Sequence, residues 1–160
     1  GPIRATLIPG GNLRGDRLVW DDSSWILTGR PATWNGLRER MSGPKLVRKA
    51  DAILFPEGLS GTFAAPEGDV VIRADRGQNL AGTVTFQGRV DCRGQGWQLQ
   101  ASQLTAQIVP GNQVKTVTAK GQVSLRGTIG EGRGEYLELD LMDKVARWQG
   151  RVKGSAEVQP

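Results

Sequence analysis

Histidine is absent from this 160-residue sequence, and cysteine occurs once, as Cys92. The missing histidine excludes Ser-His-Asp and Cys-His catalytic sites and imidazole metal ligands. A single cysteine excludes an internal disulfide and multi-cysteine metal motifs, so we expect Cys92 to pack as a small apolar side chain. The sequence therefore predicts no metal site and no cofactor.

Carboxylate pairs are the remaining candidates for catalysis. Asp21 and Asp22 lie in a predicted turn, where Asp favours local hydrogen bonds with the backbone. Glu138 and Asp140 alternate with leucines along a predicted strand and share its polar face. We interpret both pairs as structural rather than as the two carboxylates of a glycosidase. The sequence thus predicts no catalytic residue and no enzymatic activity.

Long apolar runs are missing as well. No segment approaches the roughly 18 consecutive apolar residues of a membrane-spanning helix, and no signal peptide is recognisable. The first two residues, Gly1 and Pro2, resemble the remnant of a cleaved affinity tag. We therefore expect a leader or membrane anchor to lie outside this sequence.

Glycine, by contrast, is abundant. The chain has 23 glycines and only 6% aromatic residues, a composition typical of many short strands and tight turns. Leu137, Leu139 and Leu141 alternate with polar residues, as on a strand with one buried face. Turn signals such as Pro110-Gly111-Asn112 separate such strands. We predict a single all-β domain over residues 1–160, built from antiparallel hairpins.

Two segments interrupt the simple alternation. Between residues 97 and 108 the apolar phase moves by one residue, which would turn side chains to the opposite face unless the strand bulges or bends. We therefore predict a bulge or corner near Ser102. The segment NGLRERMSGP, residues 35–44, has weak helical character over residues 37–41, and we interpret it as a polar loop that joins two halves.

A short step recurs along the chain: glycine, then a basic or polar residue, then Val or Pro. It occurs at residues 29–31, 88–90, 121–123 and 150–152, each time after a strand that ends in apolar character. The first two copies begin 59 residues apart, about twice the 29 residues that separate the last two, as if a copy near Gly58 or Gly61 had diverged. This spacing indicates a hairpin repeat of roughly 30 residues, in which glycine lets one strand bend into the next.

These repeats resemble those of the OstA/LptA-like family of lipopolysaccharide-transport proteins. The family pattern, an Ala-Asp-Xaa-Leu-Xaa-Tyr segment followed by Leu-Xaa-Gly-Asn-Val, is matched in part by segments spread over nearly the whole chain. The matching segments are GDRLVWDDSSWILTGRP (15–31), KADAILFPEG (49–58), LQASQLTAQI (99–108), VTAKGQVSLRG (117–127) and GEYLELDLMDKVARWQGRV (134–152). Two departures are that Arg or Gln replaces the family Asn after glycine, and that residues 35–44 resemble an insertion.

The resemblance implies a twisted antiparallel β-jellyroll, open at both ends, that holds acyl chains of lipopolysaccharide or a related glycolipid in an apolar trough. Apolar side chains on one face of each predicted strand are the candidates for the trough lining. They are Leu18, Trp20, Ile26, Ile53, Phe55, Phe63, Val84, Phe86, Leu99, Leu104, Ile108, Val123, Leu125, Leu137, Leu139, Leu141 and Trp148. The alternative is that this face is an ordinary filled core.

The resemblance also implies a periplasmic protein that assembles end to end with same-fold jellyroll proteins of the transport bridge at the inner and outer membranes, or with itself. Unpaired strands at the ends of a sheet invite such pairing. The candidates at the start of the chain are Ile3, Ala5 and Leu7, and those at its end are Val145, Arg147 and Val152. Which branch of the family the chain represents stays open.

Positive charge leaves two further alternatives open. The net charge is +5 and the pI about 9.9, which suits an anionic partner. Arg89, Arg126 and Arg151 are candidates for bidentate pairing with lipid phosphates, with ordinary solvated side chains as the alternative. A nucleic-acid-binding β-domain would need aromatic and basic residues interleaved on one exposed face, and we predict no nucleic-acid partner. A structural scaffold of the cell envelope, without lipid carriage, has the same expected fold.

Overall fold

The computed structural model describes residues 3–7, 11–35, 39–50, 52–64, 68–80, 82–109, 113–128, 130–140, 143, 145–150 and 153–156. Side chains are described for 12–35, 40–50, 52–64, 68–80, 82–107, 114–128, 130–140, 143 and 145–150. Within these ranges the chain is all-β. No helix in the part of the chain described is long and apolar enough to cross a membrane.

Fifteen strands form the described structure, and every pairing between them is antiparallel. In chain order they are β1 (Ile3–Leu7), β2 (Gly11–Gly15), β3 (Arg17–Trp20), β4 (Ser24–Asn35), β5 (Glu39–Lys49), β6 (Ala52–Phe55), β7 (Leu59–Phe63), β8 (Val70–Ala74), β9 (Arg76–Leu80), β10 (Thr83–Gly94), β11 (Trp97–Val109), β12 (Gln113–Gly127), β13 (Gly130–Asp140), β14 (Val145–Gln149) and β15 (Lys153–Ala156). The predicted all-β antiparallel fold is confirmed.

Six strands, β4, β5 and β10 to β13, are long enough to span two arms of the sheet. Four of them, β4, β5, β10 and β13, pair with a different neighbour along each half, which divides the sheet into these arms. The β3–β14 arm runs through β3, β4, β5, β6, β9, β10, β11, β12, β13 and β14. The β1–β15 arm runs through β1, β2, β4, β5, β7, β8, β10, β11, β12, β13 and β15. Each long strand therefore passes from one arm into the other.

The repeated glycine step marks these passages. Gly88 and Arg89 in β10 have φ of 78° and 43°, and Gly121 and Gln122 in β12 have φ of 78° and 48°. The pairing register shifts at both points, between Gln87 and Val90 and between Lys120 and Val123. Two consecutive residues in the left-handed region bend the strand, and glycine takes the first position because it lacks a Cβ. The predicted role of the step is confirmed at these two copies.

The other predicted irregularities have different outcomes. A register shift lies between Gln100 and Gln103, so the bulge predicted near Ser102 is confirmed. Gly58, with φ of 108°, joins β6 in one arm to β7 in the other, which is the place expected for the diverged copy of the step. The loop predicted within residues 35–44 is wrong from residue 39 onward, because residues 39–43 form strand that pairs with β4 and β7; residues 36–38 lie outside the described residues.

One apolar core lies between the arms, and it is fully buried in its middle. The phenyl rings of Phe63 and Phe86, which belong to different arms, meet edge to face with centroids 6.3 Å apart. Gly77 leaves no room for a side chain, since a Cβ there would collide with Leu59 of the opposite arm. A Cβ on Gly132 would lie 2.6 Å from the ring of Trp148 across the core. The inner faces of the arms therefore interlock where these residues meet.

Candidate functional site

Inward-facing side chains of the β3–β14 arm form a continuous apolar row across the strands. From Phe55 onward, each residue of the row lies directly opposite the next one: Phe55 pairs with Gly77, Gly77 with Phe86, Phe86 with Leu104, and Leu104 with Ala119. The row then continues into β13. The complete row consists of Leu18, Leu27, Leu46, Phe55, Gly77, Phe86, Leu104, Ala119, Leu137 and Trp148, in which Leu46 and Phe55 lie next to the paired Val47 and Leu54. Because these residues belong to ten neighbouring strands, the apolar interior extends along the whole arm.

Most residues predicted to line the trough lie in this interior. Those with at most 3% of their surface exposed are Phe55, Val84, Phe86, Leu99, Leu104, Val123 and Leu137. Those half-buried and packed against the core are Leu18, Ile53, Phe63, Leu125, Leu139 and Trp148. The side chains of Ile108 and Leu141 lie outside the described residues. The predicted direction is thus right for most of the set, although the central residues fill the interior.

Ile26 was assigned the wrong direction. It pairs with Val19 on the outer face of the arm, and the two side chains are 36% and 49% exposed. Its neighbour Leu27 is 1% exposed and faces the core, because successive side chains of a strand alternate between faces. Trp20 pairs with the half-buried Trp25 and shares its inward face, yet it is 73% exposed. It lies at the uncovered rim of the arm.

Several interior residues escaped the sequence analysis. The buried ones include Leu13, Leu27, Met41, Leu46, Leu59 and Ile72. Leu27 lies on the same face of its strand as Trp25, so an alternating pattern that started from Trp25 as an inward residue would have identified it. Met41 was hidden because its segment was interpreted as a loop, and Leu13 lies in a glycine-rich segment with no apolar partner two residues away.

A cavity of about 410 Å³ opens at the β3 end of the interior. Its lining combines apolar side chains of both arms with a polar turn at the mouth. The lining residues are Leu13, Leu18, Trp20, Asp21, Asp22, Ser23, Ser24, Trp25, Arg48 and Ala50. Leu13 comes from the β1–β15 arm, and Leu18 and Trp25 come from the other. The cavity therefore continues the space between the two arms beyond the point where core side chains fill it.

The polar side of the cavity is held by a structured turn. The Asp21 carboxylate accepts hydrogen bonds from the backbone N–H groups of Ser23 and Ser24, both at 2.9 Å, and from the Ser24 hydroxyl at 3.1 Å. These bonds stabilise the ionised form and lower the pKa of Asp21. The hairpin and the local backbone hydrogen bonds predicted for Asp21 are confirmed by this geometry.

Arg48 is the cationic residue of the cavity. It lies directly opposite Trp25 on one side and Ile53 on the other, so it belongs to the inward face of β5. Its side chain is exposed. A guanidinium at the rim of an apolar cavity provides a bidentate partner for a phosphate or carboxylate.

The arginines proposed for lipid phosphates lie elsewhere. Arg89 is paired with Asp75, with Nε 3.3 Å from Oδ2, at a passage between the arms. Arg126 is exposed on the outer face of the β1–β15 arm, opposite Glu131. Arg151 lies outside the described residues. Neither described arginine lines the cavity.

Each arm ends in strands that pair on one side within the described chain. They are β3 and β14 for one arm and β1 and β15 for the other. The predicted edge residues Ile3, Ala5 and Leu7 lie in β1, whereas Val145 and Arg147 lie in β14. Val152 lies outside the described residues. The two predicted edges therefore belong to different arms and do not face each other across one sheet.

Among the described residues, no cluster of three or more His, Cys, Asp or Glu side chains is placed to hold a metal ion. Comparison of the chain with protein-family models and with curated proteins finds no match. The geometry of the chain and its sequence pattern are therefore the basis for any functional assignment.

Proposed function

We propose that this chain is a twisted β-jellyroll, open at both ends, that shields acyl chains of lipopolysaccharide or a related glycolipid during transport through the periplasm. The observation that carries the proposal is the cavity at the β3 end, which extends the apolar interior and has Arg48 at its rim. The chain's resemblance to the OstA/LptA-like family supports the same assignment. In this function the protein is a carrier and not an enzyme.

The size and chemistry of the cavity suit part of an acyl chain. Its volume of about 410 Å³ falls within the usual range of ligand pockets. Each methylene buried between Leu18 and Trp25 would contribute about 0.8 kcal/mol. Since the middle of the interior is filled, a longer tail would extend outward past Trp20, where a neighbouring subunit could cover it.

End-to-end assembly would supply that cover, and the number of strands in each arm, even in one and odd in the other, favours one way of forming it. The β3–β14 arm contains ten successive antiparallel strand segments, so its first and last strands run in opposite directions. Strand β14 of one copy would therefore add to β3 of the next as a further antiparallel strand. The β1–β15 arm has eleven segments, and the same step there would require parallel pairing. The partners in this proposal are copies of this chain or same-fold bridge proteins.

Tryptophan fluorescence provides the test of acyl-chain binding. Stearic acid that carries a nitroxide on its chain quenches nearby indoles, and lipid A serves as the competitor. We expect saturable quenching that lipid A reverses, and we expect the W20F/W25F variant to lose most of it. The matched control is W97F, because Trp97 is half-buried and does not line the cavity. Equal quenching in W20F/W25F and W97F, or quenching that does not saturate, would contradict the proposal.

A structural scaffold is the second candidate, and the interlocked middle of the core favours it. A scaffold needs the same edge strands but no space for a ligand. The two functions differ in one result: a scaffold shows end-to-end association without competition between lipid A and the labelled acid.

A further inference from the structure

The outer face of the β1–β15 arm carries an array of arginines that the carrier function does not use. Two outward rows cross this arm, and six of their positions are exposed arginines. They are Arg14, Arg73 and Arg133 in one row and Arg40, Arg93 and Arg126 in the next. The acidic residues described in the same rows are Asp91 and Glu131. The face is therefore strongly basic, and the cations among its described side chains are guanidinium groups.

The arginines are spread along the face rather than clustered at one point. The row from Arg14 in β2 to Arg133 in β13 crosses eight strand-to-strand steps, a path of about 38 Å along the twisted sheet at about 4.8 Å per step. Arg73 lies midway, and the second row supplies three more arginines between these positions. Asp91 offsets Arg93 through an ion pair of 3.1 Å. The remaining guanidinium groups face outward over a wide surface.

The residues between the arginines indicate which class of anionic partner fits this face. The positions between the arginines are mainly Ser, Thr, Asn and Gln, and no aromatic side chain occurs in the described part of the two rows. Trp34 and Trp97 of this arm lie on its inner face, in register with Met41 and Gly94. Single-stranded nucleic acid binding relies on exposed aromatic side chains that stack with bases. A broad guanidinium surface without such side chains fits a two-dimensional array of phosphates better.

We propose that this face binds the phosphate surface of an anionic lipid bilayer, which would hold the chain against a membrane. Arginine suits this contact because its planar fork binds phosphate oxygens in a bidentate manner. Val71, which is 44% exposed in the centre of the face, adds a small apolar contact. The proposal is independent of acyl-chain binding, because it rests on outward residues that do not line the cavity.

Vesicle co-sedimentation tests this proposal with two variants of equal charge change. R14Q/R73Q/R133Q removes three cations from the proposed face, and R17Q/K49Q/R76Q removes three exposed cations from the outer face of the other arm. A basic residue near an anionic membrane contributes about 1 kcal/mol, and about 1.4 kcal/mol corresponds to a tenfold change. We therefore expect roughly 100-fold weaker binding of phosphatidylglycerol-containing vesicles for the first variant and less than about a tenfold change for the second.

The wild-type protein provides a readout that does not depend on either variant. Its binding should fall with added salt and should be absent with pure phosphatidylcholine vesicles. Both variants should keep the wild-type circular dichroism spectrum and unfolding transition. Three results would overturn the proposal: equal loss in both variants, equal binding of phosphatidylcholine vesicles, or tighter binding of single-stranded DNA than of vesicles at the same phosphate concentration. The last result would assign the face to nucleic acid.

Discussion

Replacement of Gly121 by alanine tests the role of the repeated glycine step. Gly121 has φ of 78°, and a Cβ built there lies 2.9 Å from both Cβ and Oγ of Ser102 on the neighbouring strand. Gly96 has the same φ of 78°, but its Cβ would lie 3.3 Å from the nearest atom, Cγ2 of Thr128. The two sites therefore share the conformational cost and differ in the steric one.

The expected magnitudes follow from these two contributions. A left-handed conformation costs a residue with a Cβ about 1–2 kcal/mol, which is the full expected effect of G96A. Crowding against a packed neighbour adds about 1–3 kcal/mol, so G121A should lower the free energy of unfolding by roughly 2–5 kcal/mol. The S102G change removes the crowding atoms, and the double variant G121A/S102G should therefore recover about 1 kcal/mol or more as a favourable coupling energy.

Urea unfolding, followed by tryptophan fluorescence and circular dichroism, measures the wild type and the four variants. The reasoning about the bend is refuted if G96A and G121A destabilise the protein equally and the double-mutant cycle shows no coupling. Such a result would mean that the glycine is required for its backbone conformation alone, without close approach of the strands at the bend.

Three further predictions concern the core, the thiol and the assembly edges. L137A removes a side chain that is 0% exposed in the middle of the apolar row and should lower the free energy of unfolding in urea by about 2–5 kcal/mol. I26A, on the outer face, should lower it by about 0.5 kcal/mol. Similar losses in the two variants would contradict the directions assigned to these side chains. Burial, with a smaller effect of the nearby Asp91 charge, raises the pKa of the Cys92 thiol from 9.0 to about 12. As the pH rises, the thiol therefore loses its proton in the unfolded chain before it does so in the folded chain. The free energy of unfolding should consequently fall between about pH 9 and 12. C92A should show a shallower fall over that range, by up to about 1.4 kcal/mol per pH unit, and an unchanged slope would contradict the burial. Oxidation of V19C/R147C, with one cysteine on each edge of the β3–β14 arm, should give disulfide-linked chains of several copies, whereas V19C/V71C should not; equal linkage in both would contradict head-to-tail pairing.

The sequence predicted those features that local chemistry determines. Alternation located most strands, the one-residue phase change predicted the bulge near Ser102, and the glycine step predicted the bends at Gly88 and Gly121. Each of these depends on the side-chain period of a strand or on backbone freedom, both of which can be recognised within a few residues.

Features that depend on distant neighbours were missed. Strand β9, RGQNL, lacks apolar alternation and becomes a strand because β6 and β10 pair with it on both sides; Gly77 within it makes room for Leu59 of the other arm. The strand around Met41 was likewise hidden by polar neighbours. Ile26 was misassigned because β4 offers apolar residues on both faces, and only the partner strands decide which face is covered.

The candidate site likewise combines features that the sequence predicted with features that depend on distant neighbours. Sequence alone indicated an apolar interior and named Leu18 and Trp20, which line the cavity. It did not predict that the middle of the interior is filled, because that depends on how the two arms meet. Arg48 was also missed, since its inward direction follows only from its partners Trp25 and Ile53.

The central claim, that acyl chains occupy the space between the arms, is tested most directly by photo-cross-linking in living cells with an outer membrane. A photoreactive amino acid at position 18 points into the cavity, and one at position 19 points outward from the same strand. We predict a glycolipid adduct from position 18 and none from position 19. Absence of an adduct at position 18 in a folded protein, or equal adducts at both positions, would contradict the account.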